Sequence, residues 1–452
     1  MTDFAAIILA AGKGTRMKSD LHKVLHPIAG KPMLEHLLDS FGALEPQRMV
    51  VVVGDRREQV DAALGGRDVK TALQDPQHGT AHAALQAKEA LSGFSGNILV
   101  TFGDVPMVTA ETVRKLLDAL DGGAKVAVLG FRPADPLAYG RVIAEDDGTV
   151  LKMVEFKDAS DAERSVDLCN SGLIVAHSDD MWPLLDAVDN DNAQGEYYLP
   201  DVATGAIARG DKVVVVECDP DEVAGINSRA ELADAEQRWQ KVRRQQAMEG
   251  GATLKAPDTV FFSHDTVLGR DVTVDPHVVF GPGVTIADGA HIKAYTHIEG
   301  ATLATGVQVG PFARLRPGAI LEEGSFVGNF VEMKKATLGP GAKASHLSYI
   351  GDATVGANAN IGAGTITCNY DGYFKYQTVI GERAFIGSNS ALVAPVKIGP
   401  DSIVAAGSTV SRDVAAGELR MVRAEQLVKD GWADRFHDTM KKRKAAAKEK
   451  KT

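Results

Sequence analysis

The order of hydrophobic and polar positions divides the chain into two textures. Up to residue 227, short apolar runs rich in β-branched residues at 5–9, 49–53, 98–102, 126–129 and 213–217 predict strands. Segments of helical period, such as 34–41 and 112–120, lie between several of them. This alternation predicts an α/β layer, Rossmann-like, with a mostly parallel sheet. Ligands in such sheets sit beyond the carboxyl ends of the strands, so the loops after Leu9 and Phe102 are the places to look for chemistry.

At Ser228 the texture changes. Ser228-Arg-Ala-Glu231 reads as a capping box opening a polar helix that Gly250-Gly251 stops, and so charged a helix is expected to bury little and to act as a connector over 228–249. Beyond it the apolar residues recur every six positions. Leu268, Val274, Phe280, Ile286, Ile292 and Ile298 share one register; Val309, Leu315, Leu321, Val327 and Met333 share a second; Ile380, Ile386, Leu392, Ile398, Val404 and Val410 share a third. A strict period of six predicts a parallel β-helix in which three units close a triangular coil of 18 residues with the periodic residue pointing inward. The count fails between Ile298 and Val309, around Leu338, and over 369–377, where loops should protrude. The expected organisation is 1–227, a linker helix 228–249, a β-helix 250–436 and a tail 437–452.

Composition narrows the possible functions. The 452 residues are 44% apolar and 24% charged, and no window holds the ~18 uninterrupted apolar residues of a spanning helix. The short apolar run near the start lacks a preceding basic residue, so it reads as a buried strand rather than a leader. Three cysteines without CxxC spacing indicate neither a disulfide framework nor a zinc site, and a cytoplasmic protein is expected. The net charge is −11, and 437–452 holds seven Lys/Arg against two Asp/Glu, leaving about −16 on the rest. That balance argues against nucleic acid, and the basic tail is expected to be solvated and disordered.

The run from Leu9 to Met17, LAAGKGTRM, follows the first strand directly, so its glycines let backbone N–H groups approach a phosphate. It is neither a Walker A loop nor a dinucleotide fingerprint, and taken alone it fits a plain strand-to-helix turn equally well. Arg16, Lys23 and the Gly103-Asp104 pair, whose carboxylate could hold Mg²⁺, favour phosphate. Asp104 alone also fits a helix cap, and Asn227 alone fits turn chemistry before Ser228.

The second texture makes its own prediction. Arg316 and Lys334 are 18 apart and so stack on adjacent coils about 4.8 Å apart. Two cations at ~5 Å repel by roughly 0.8 kcal/mol in water and ~3 kcal/mol at an effective dielectric of 20, a cost that a bound anion removes and that splaying into solvent also relieves. His346 lies one strand and corner further on, and an imidazole is a side chain suited to take a proton from an attacking amine. Ser388 and Ala406, also 18 apart, form a second stack with room for a narrow ligand. Cys368 invites an acyl-cysteine reading, but nothing around it in sequence suggests an activated thiol.

Several blocks then occur in a recognisable order: LAAGKGTRM with Lys23-Val-Leu-His26, Gln74 with Gly79-Thr80, Phe102-Gly-Asp104, Tyr139-Gly-Arg141, Glu155, Asn170-Ser-Gly172, Glu196-Tyr-Tyr-Leu199 and Gly225-Ile-Asn227. Together they resemble the nucleotidyltransferases that make nucleoside-diphosphate sugars. With the hexapeptide coil, nearly the whole chain resembles the bacterial family that joins an N-acetylglucosamine-1-phosphate uridyltransferase to a glucosamine-1-phosphate acetyltransferase for cell-wall precursor synthesis. His22 departs from the proline common there. The resemblance implies a left-handed coil and a homotrimer. It implies Mg²⁺ on Asp104 and Asn227, and a nucleotide-sugar site of Leu9, Ala10, Ala11, Gly12, Arg16, Lys23, Gln74, Gly79, Thr80, Phe102, Gly103, Gly140, Glu155, Asn170 and Asn227 for UTP and N-acetylglucosamine 1-phosphate. It further implies His346 as general base, Arg316, Lys334, Tyr349 and Asn360 for glucosamine 1-phosphate, and Ala363, Asn369, Tyr370, Ser388, Ala406 and Arg423 for acetyl-CoA. A nucleotidyltransferase whose coil serves only assembly or regulation is the rival, and a non-catalytic subunit is the remoter one.

Overall fold

The computed structural model describes residues 3–136, 139–192 and 194–449. The chain divides into two units, one comprising Met1–Gly250 with Pro257–Thr266 and Phe280–Pro282, the other holding the remainder.

The first unit is built on a twisted sheet whose strands run, side by side, Val213–Cys218, Val126–Phe131, Cys169–His177, Asn97–Phe102, Phe4–Ala10, Arg48–Val53 and Lys70–Leu73. Phe4–Ala10 lies parallel to both neighbours, with Leu9 level with Val52 and Phe102. It is buried along its whole length because helices cover both faces, which is why it reads as an unbroken apolar run. Ala5, Ile7 and Leu9 enter one core, while Phe4, Ala6, Ile8 and Ala10 enter the other. The five strands expected from apolar runs are all present. The pattern did not reveal that Cys169–His177 runs antiparallel to both neighbours, because its register shifts between Asn170 and Ile174 and breaks the alternation.

The helix Arg229–Glu249 is capped by Ser228, whose hydroxyl accepts from the Glu231 N–H. The expectation that it buries little is corrected. Ala235, Gln240, Arg244 and Ala247 are buried, and Leu232 and Trp239 pack with Ile28, Met33 and Ile226. The Gln240 amide both donates to the Phe262 carbonyl, at 2.7 Å, and accepts from its N–H, at 2.8 Å. A polar side chain that satisfies buried backbone in this way leaves no apolar signature to read.

The second unit is a parallel β-helix with three faces of short strands. Leu315 pairs with Met333 and Ile386 with Val404, the 18-residue repeat, whereas Met333 pairs with Ile350 one residue short. Ile361 pairs with Ile386, so the coil between them carries the extra segment expected over 369–377. All of the periodic residues are buried except Leu268, which is half-buried. At one corner His277, Tyr295, Phe312 and Phe330 adopt positive φ, which costs a bulky residue roughly 1–2 kcal/mol. Their rings stack at 4.9, 4.9 and 5.3 Å, which returns ~0.5–1.5 kcal/mol per pair.

Residues Trp432–Glu449 form a helix, exposed over 432–447. The basic tail is therefore helical where disorder was expected, since its alternation of Ala with Lys and Arg carries high helix propensity; residues 450–452 lie outside the described residues. No helix among the described residues is long and apolar enough to cross a membrane. Because Ile386 is fully buried in the prism, Ile386→Ala is expected to cost about 2–5 kcal/mol, read as a lowered urea midpoint of the full chain, and a cost under ~0.5 kcal/mol would show that the coil interior is not tightly packed.

Candidate active sites

At the carboxyl ends of the central strands lies a cavity of about 330 Å³ lined by Leu9, Ala10, Ala11, Gly12, Lys23, Gln74, Gly79, Thr80, Phe102 and Asp104, together with His22, Val24, Gln77, Ala83 and Glu196. The Gly103 N–H donates to the Leu9 carbonyl at 2.9 Å, which ties the two central loops together. Lys23 sits on a short turn held by His22, whose ring accepts from the Val24 N–H at 3.4 Å and whose backbone N–H donates to Gln59 Oε1 at 2.7 Å. Burial, then the neighbouring Lys23, push the His22 imidazole below its ordinary range, so it stays neutral.

The Lys23 ammonium bonds to the Asp104 carboxylate and donates to Asn227 Oδ1 at 3.1 Å. Asn227 is brought there by the Ile226 N–H, which donates to the Asp104 carbonyl at 3.0 Å, and by its own N–H on Glu231 at 2.6 Å. Two oxygens 123 positions apart in sequence thus converge on one cationic group. That donor set, an anionic and a neutral oxygen already shared by a cation, fits a hard divalent ion such as Mg²⁺. No group of three or more ligating side chains occurs among the described residues, so such an ion would take its other ligands from water and substrate. Arg16 is exposed at the lip of the loop.

On one side Gln74 donates to the Gly79 carbonyl at 2.9 Å and Thr80 Oγ1 accepts from the Leu199 N–H at 2.8 Å. Gly79 has φ +113, and a Cβ there would meet the Tyr197 backbone at 2.5 Å, so no other residue fits. On the other side Gly140 faces the Glu155 carboxylate, the Asn170 N–H donates to the Gly140 carbonyl at 2.9 Å, and buried Arg141 donates to the Pro136 and Tyr139 carbonyls. Burial, then Asp201 and Asp158, raise the Glu155 carboxyl above its ordinary range.

On the prism, Arg316 and Lys334 occupy successive coils as their spacing requires, since Leu315 and Met333 beside them pair. Two neighbours escaped the sequence reading. Arg316 donates to Glu332 at 2.8 Å, and the ammonium of Lys375 approaches that of Lys334. Lys375, then Arg316, hold the Lys334 ammonium below its ordinary range. The expected pair of cations is therefore three cations with one carboxylate. Lys375 comes from the 369–377 segment, where Tyr370 bridges to Lys375; the failed count of six was the signal that this segment returns to the prism.

His346 is exposed at one corner, level with Asn329, and Tyr349 begins the next face beside Glu332 and over Gly351, the residue level with Lys334. Registers carry His346 to Ala363, Ser388 and Ala406 on successive coils of that same corner. The Asn389 N–H donates to the Ala363 carbonyl at 2.7 Å, the Gly407 N–H to that of Ser388 at 2.8 Å, and Arg423 to that of Ala406 at 3.1 Å. Asn360 lies in register with Lys343 and Phe385, a separate face from Arg316 and Lys334, and no contact joins it to them among the described residues. Asn369 is buried and bonded to Asp352, while Tyr370 is exposed. Cys169, Cys218 and Cys368 are free thiols, and burial pushes Cys218 up to about 12.

Residues 6–154 match the MobA-like NTP transferase domain family, and residues 265–300 and 377–412 match the bacterial transferase hexapeptide family of six repeats. Among curated proteins, the Bifunctional protein GlmU of Sphingopyxis alaskensis is 65% identical over 99% of both chains. That of Novosphingobium aromaticivorans is 68% identical over 98% of this chain and 99% of its own. That of Zymomonas mobilis is 53% identical over 97% and 99%.

The Glu155 carboxyl keeps its proton to higher pH in the folded chain than in the unfolded one, so its contribution destabilises the fold as pH rises from near 4.5 through the raised value, and stays constant above it. Glu155→Gln is accordingly expected to raise the thermal midpoint near pH ~7.5 and to leave it unchanged near pH ~4. An equal effect at both would show that ionisation is not the cause.

Proposed function

Because the chain belongs to the family of bifunctional GlmU proteins, we propose that it acetylates glucosamine 1-phosphate with acetyl-CoA and then transfers UMP from UTP to the resulting N-acetylglucosamine 1-phosphate, giving UDP-N-acetylglucosamine and pyrophosphate. It is a bifunctional transferase of cell-wall precursor synthesis, with a left-handed β-helix of hexapeptide repeats as its second domain. The observation that carries the assignment is that one chain holds two separate cation-rich sites, Lys23 with Asp104 and Asn227 in the sheet domain and Arg316 with Lys334 and Lys375 on the prism.

In uridylyl transfer a phosphate oxygen of the sugar phosphate attacks the α-phosphorus of UTP in line, a new P–O bond forms, and the bond to pyrophosphate breaks. Two anions have to meet, so the backbone N–H groups from Leu9 to Gly12, with Arg16 and Lys23, hold the triphosphate. Asp104 and Asn227 would hold Mg²⁺, which would supply the remaining neutralisation of phosphate charge. Gln74, Gly79 and Thr80 face the uracil; Gly140, Glu155 and Asn170 hold the sugar, the Glu155 carboxyl offering hydrogen-bond acceptors to the sugar hydroxyls.

In acetyl transfer the sugar amine attacks the thioester carbonyl and forms the C–N bond, His346 takes the amine proton, the C–S bond breaks, and that proton passes to the sulfur as CoA leaves as its thiol. Arg316, Lys334 and Lys375 hold the sugar phosphate with Tyr349 beside it, and Ser388 stabilises the oxyanion. Ala363, Ala406, Asn369, Tyr370 and Arg423 line the CoA path, while Asn360 would join the acceptor site from the neighbouring face. We further propose a cytoplasmic homotrimer in which neighbouring chains complete the acetyl site; the exposure of His346, Tyr370 and the Tyr295–Phe312–Phe330 column supports this.

His346→Ala is expected to lower acetyl transfer by about 10²–10⁴ and to leave uridylyl transfer intact, and Asp104→Ala to do the reverse, each measured with separate coupled assays. Loss of both activities from either substitution contradicts two independent sites.

A further inference from the structure

We infer that Lys23 has a second role beyond gripping the triphosphate: its ammonium is the place-holding cation of the metal site, displaced when the divalent ion arrives with nucleotide. This rests on the reading of Asp104 and Asn227 as the metal site.

The geometry argues for it in three steps. First, Lys23 Nζ touches both residues proposed to bind the ion, and both members of its pair with Asp104 are about five-sixths buried, at 15% and 16% exposed. An ammonium and a divalent ion cannot share the position between these oxygens, since they would overlap and repel at contact. Second, the base of Lys23 is fixed while its head is free to turn. Val24 and Leu25 beside it are buried, and a Cβ at Gly14 would lie 2.7 Å from Lys23 Cβ, so the stem rests on the phosphate loop itself. Rotation about the four-carbon stem therefore carries the ammonium from Asp104 towards whatever anion the loop holds. Third, with two protein oxygens converging among the described residues, the chain alone offers a metal ion little, and the occupying ammonium lowers that further.

The consequence is thermodynamic. Metal that takes Asp104 and Asn227 frees a cation for the triphosphate, and a triphosphate that draws Lys23 away frees two ligands for the metal. Each thus raises the affinity for the other by the same factor. Metal without nucleotide should bind weakly, and the unliganded site keeps its buried carboxylate paired.

The test is Mn²⁺ binding to the full chain without nucleotide, followed by the electron paramagnetic resonance signal of free Mn²⁺. Lys23→Met is expected to tighten binding on the order of tenfold. Asp104→Ala should abolish it, and Arg16→Met, which removes the same charge from an exposed position on the same loop, should change it by less than about twofold. Unchanged or weaker binding by Lys23→Met while Asp104→Ala abolishes it overturns the place-holder and leaves the metal site standing. Equal tightening by Lys23→Met and Arg16→Met also overturns it, since charge alone would then suffice. Wild-type Mn²⁺ affinity in Asp104→Ala removes the metal-site reading and the inference together. Should Lys23→Met fail to give the wild-type circular dichroism spectrum, Lys23→Gln removes the same charge with a polar side chain and is read the same way.

Discussion

The constraint on which the first domain depends is that two phosphate-bearing anions have to be brought into contact. Like charges close together in a cleft cost several kcal/mol unless positive charge is already in place. The Lys23–Asp104–Asn227 cluster is the local answer, because it stores a cation and two hard oxygens where the central strands end. The rest of the sheet serves that placement: Leu9 and Phe102 end level with one another, Gly103 bonds back to Leu9, and Ile226 reaches across to the Asp104 carbonyl.

The prism solves a related problem with repetition. A coil that returns at the same place every 17 or 18 residues sets side chains about 4.8 Å apart without any helix or sheet layer behind them. Arg316 and Lys334 use one such column, while His346, Ala363, Ser388 and Ala406 use another. The column that starts at His346 then runs into small residues, Ala363 and Ala406, and backbone carbonyls there are already bonded along the corner, leaving a narrow edge.

Most of the fold was legible because it rests on periodicity. The strand at 5–9 and the coil residue every six positions are buried apolar positions, and burial is what a pattern records. The antiparallel strand Cys169–His177 was not legible, since Asn170, Ser171 and Gly172 interrupt its alternation where the register shifts, Gly172 lying against the Phe102 ring where a Cβ would come within 2.1 Å. The buried face of Arg229–Glu249 was missed because Gln240 and Arg244 bury hydrogen bonds rather than hydrocarbon. Spacing found Arg316 and Lys334 but not Lys375 or Glu332, whose approach depends on a loop path and on a neighbouring coil's outward face. Asn227 shows the same limit: only the folded chain puts it beside Asp104.

The central claim is that one chain performs acetylation and then uridylylation. The most direct test is mass spectrometry of the products formed when the purified chain is mixed with glucosamine 1-phosphate, acetyl-CoA, UTP and Mg²⁺, omitting one component at a time. UDP-N-acetylglucosamine should form from the complete mixture and disappear when acetyl-CoA is left out. Formation only when N-acetylglucosamine 1-phosphate is supplied ready-made would contradict the account and reduce the prism to an assembly module.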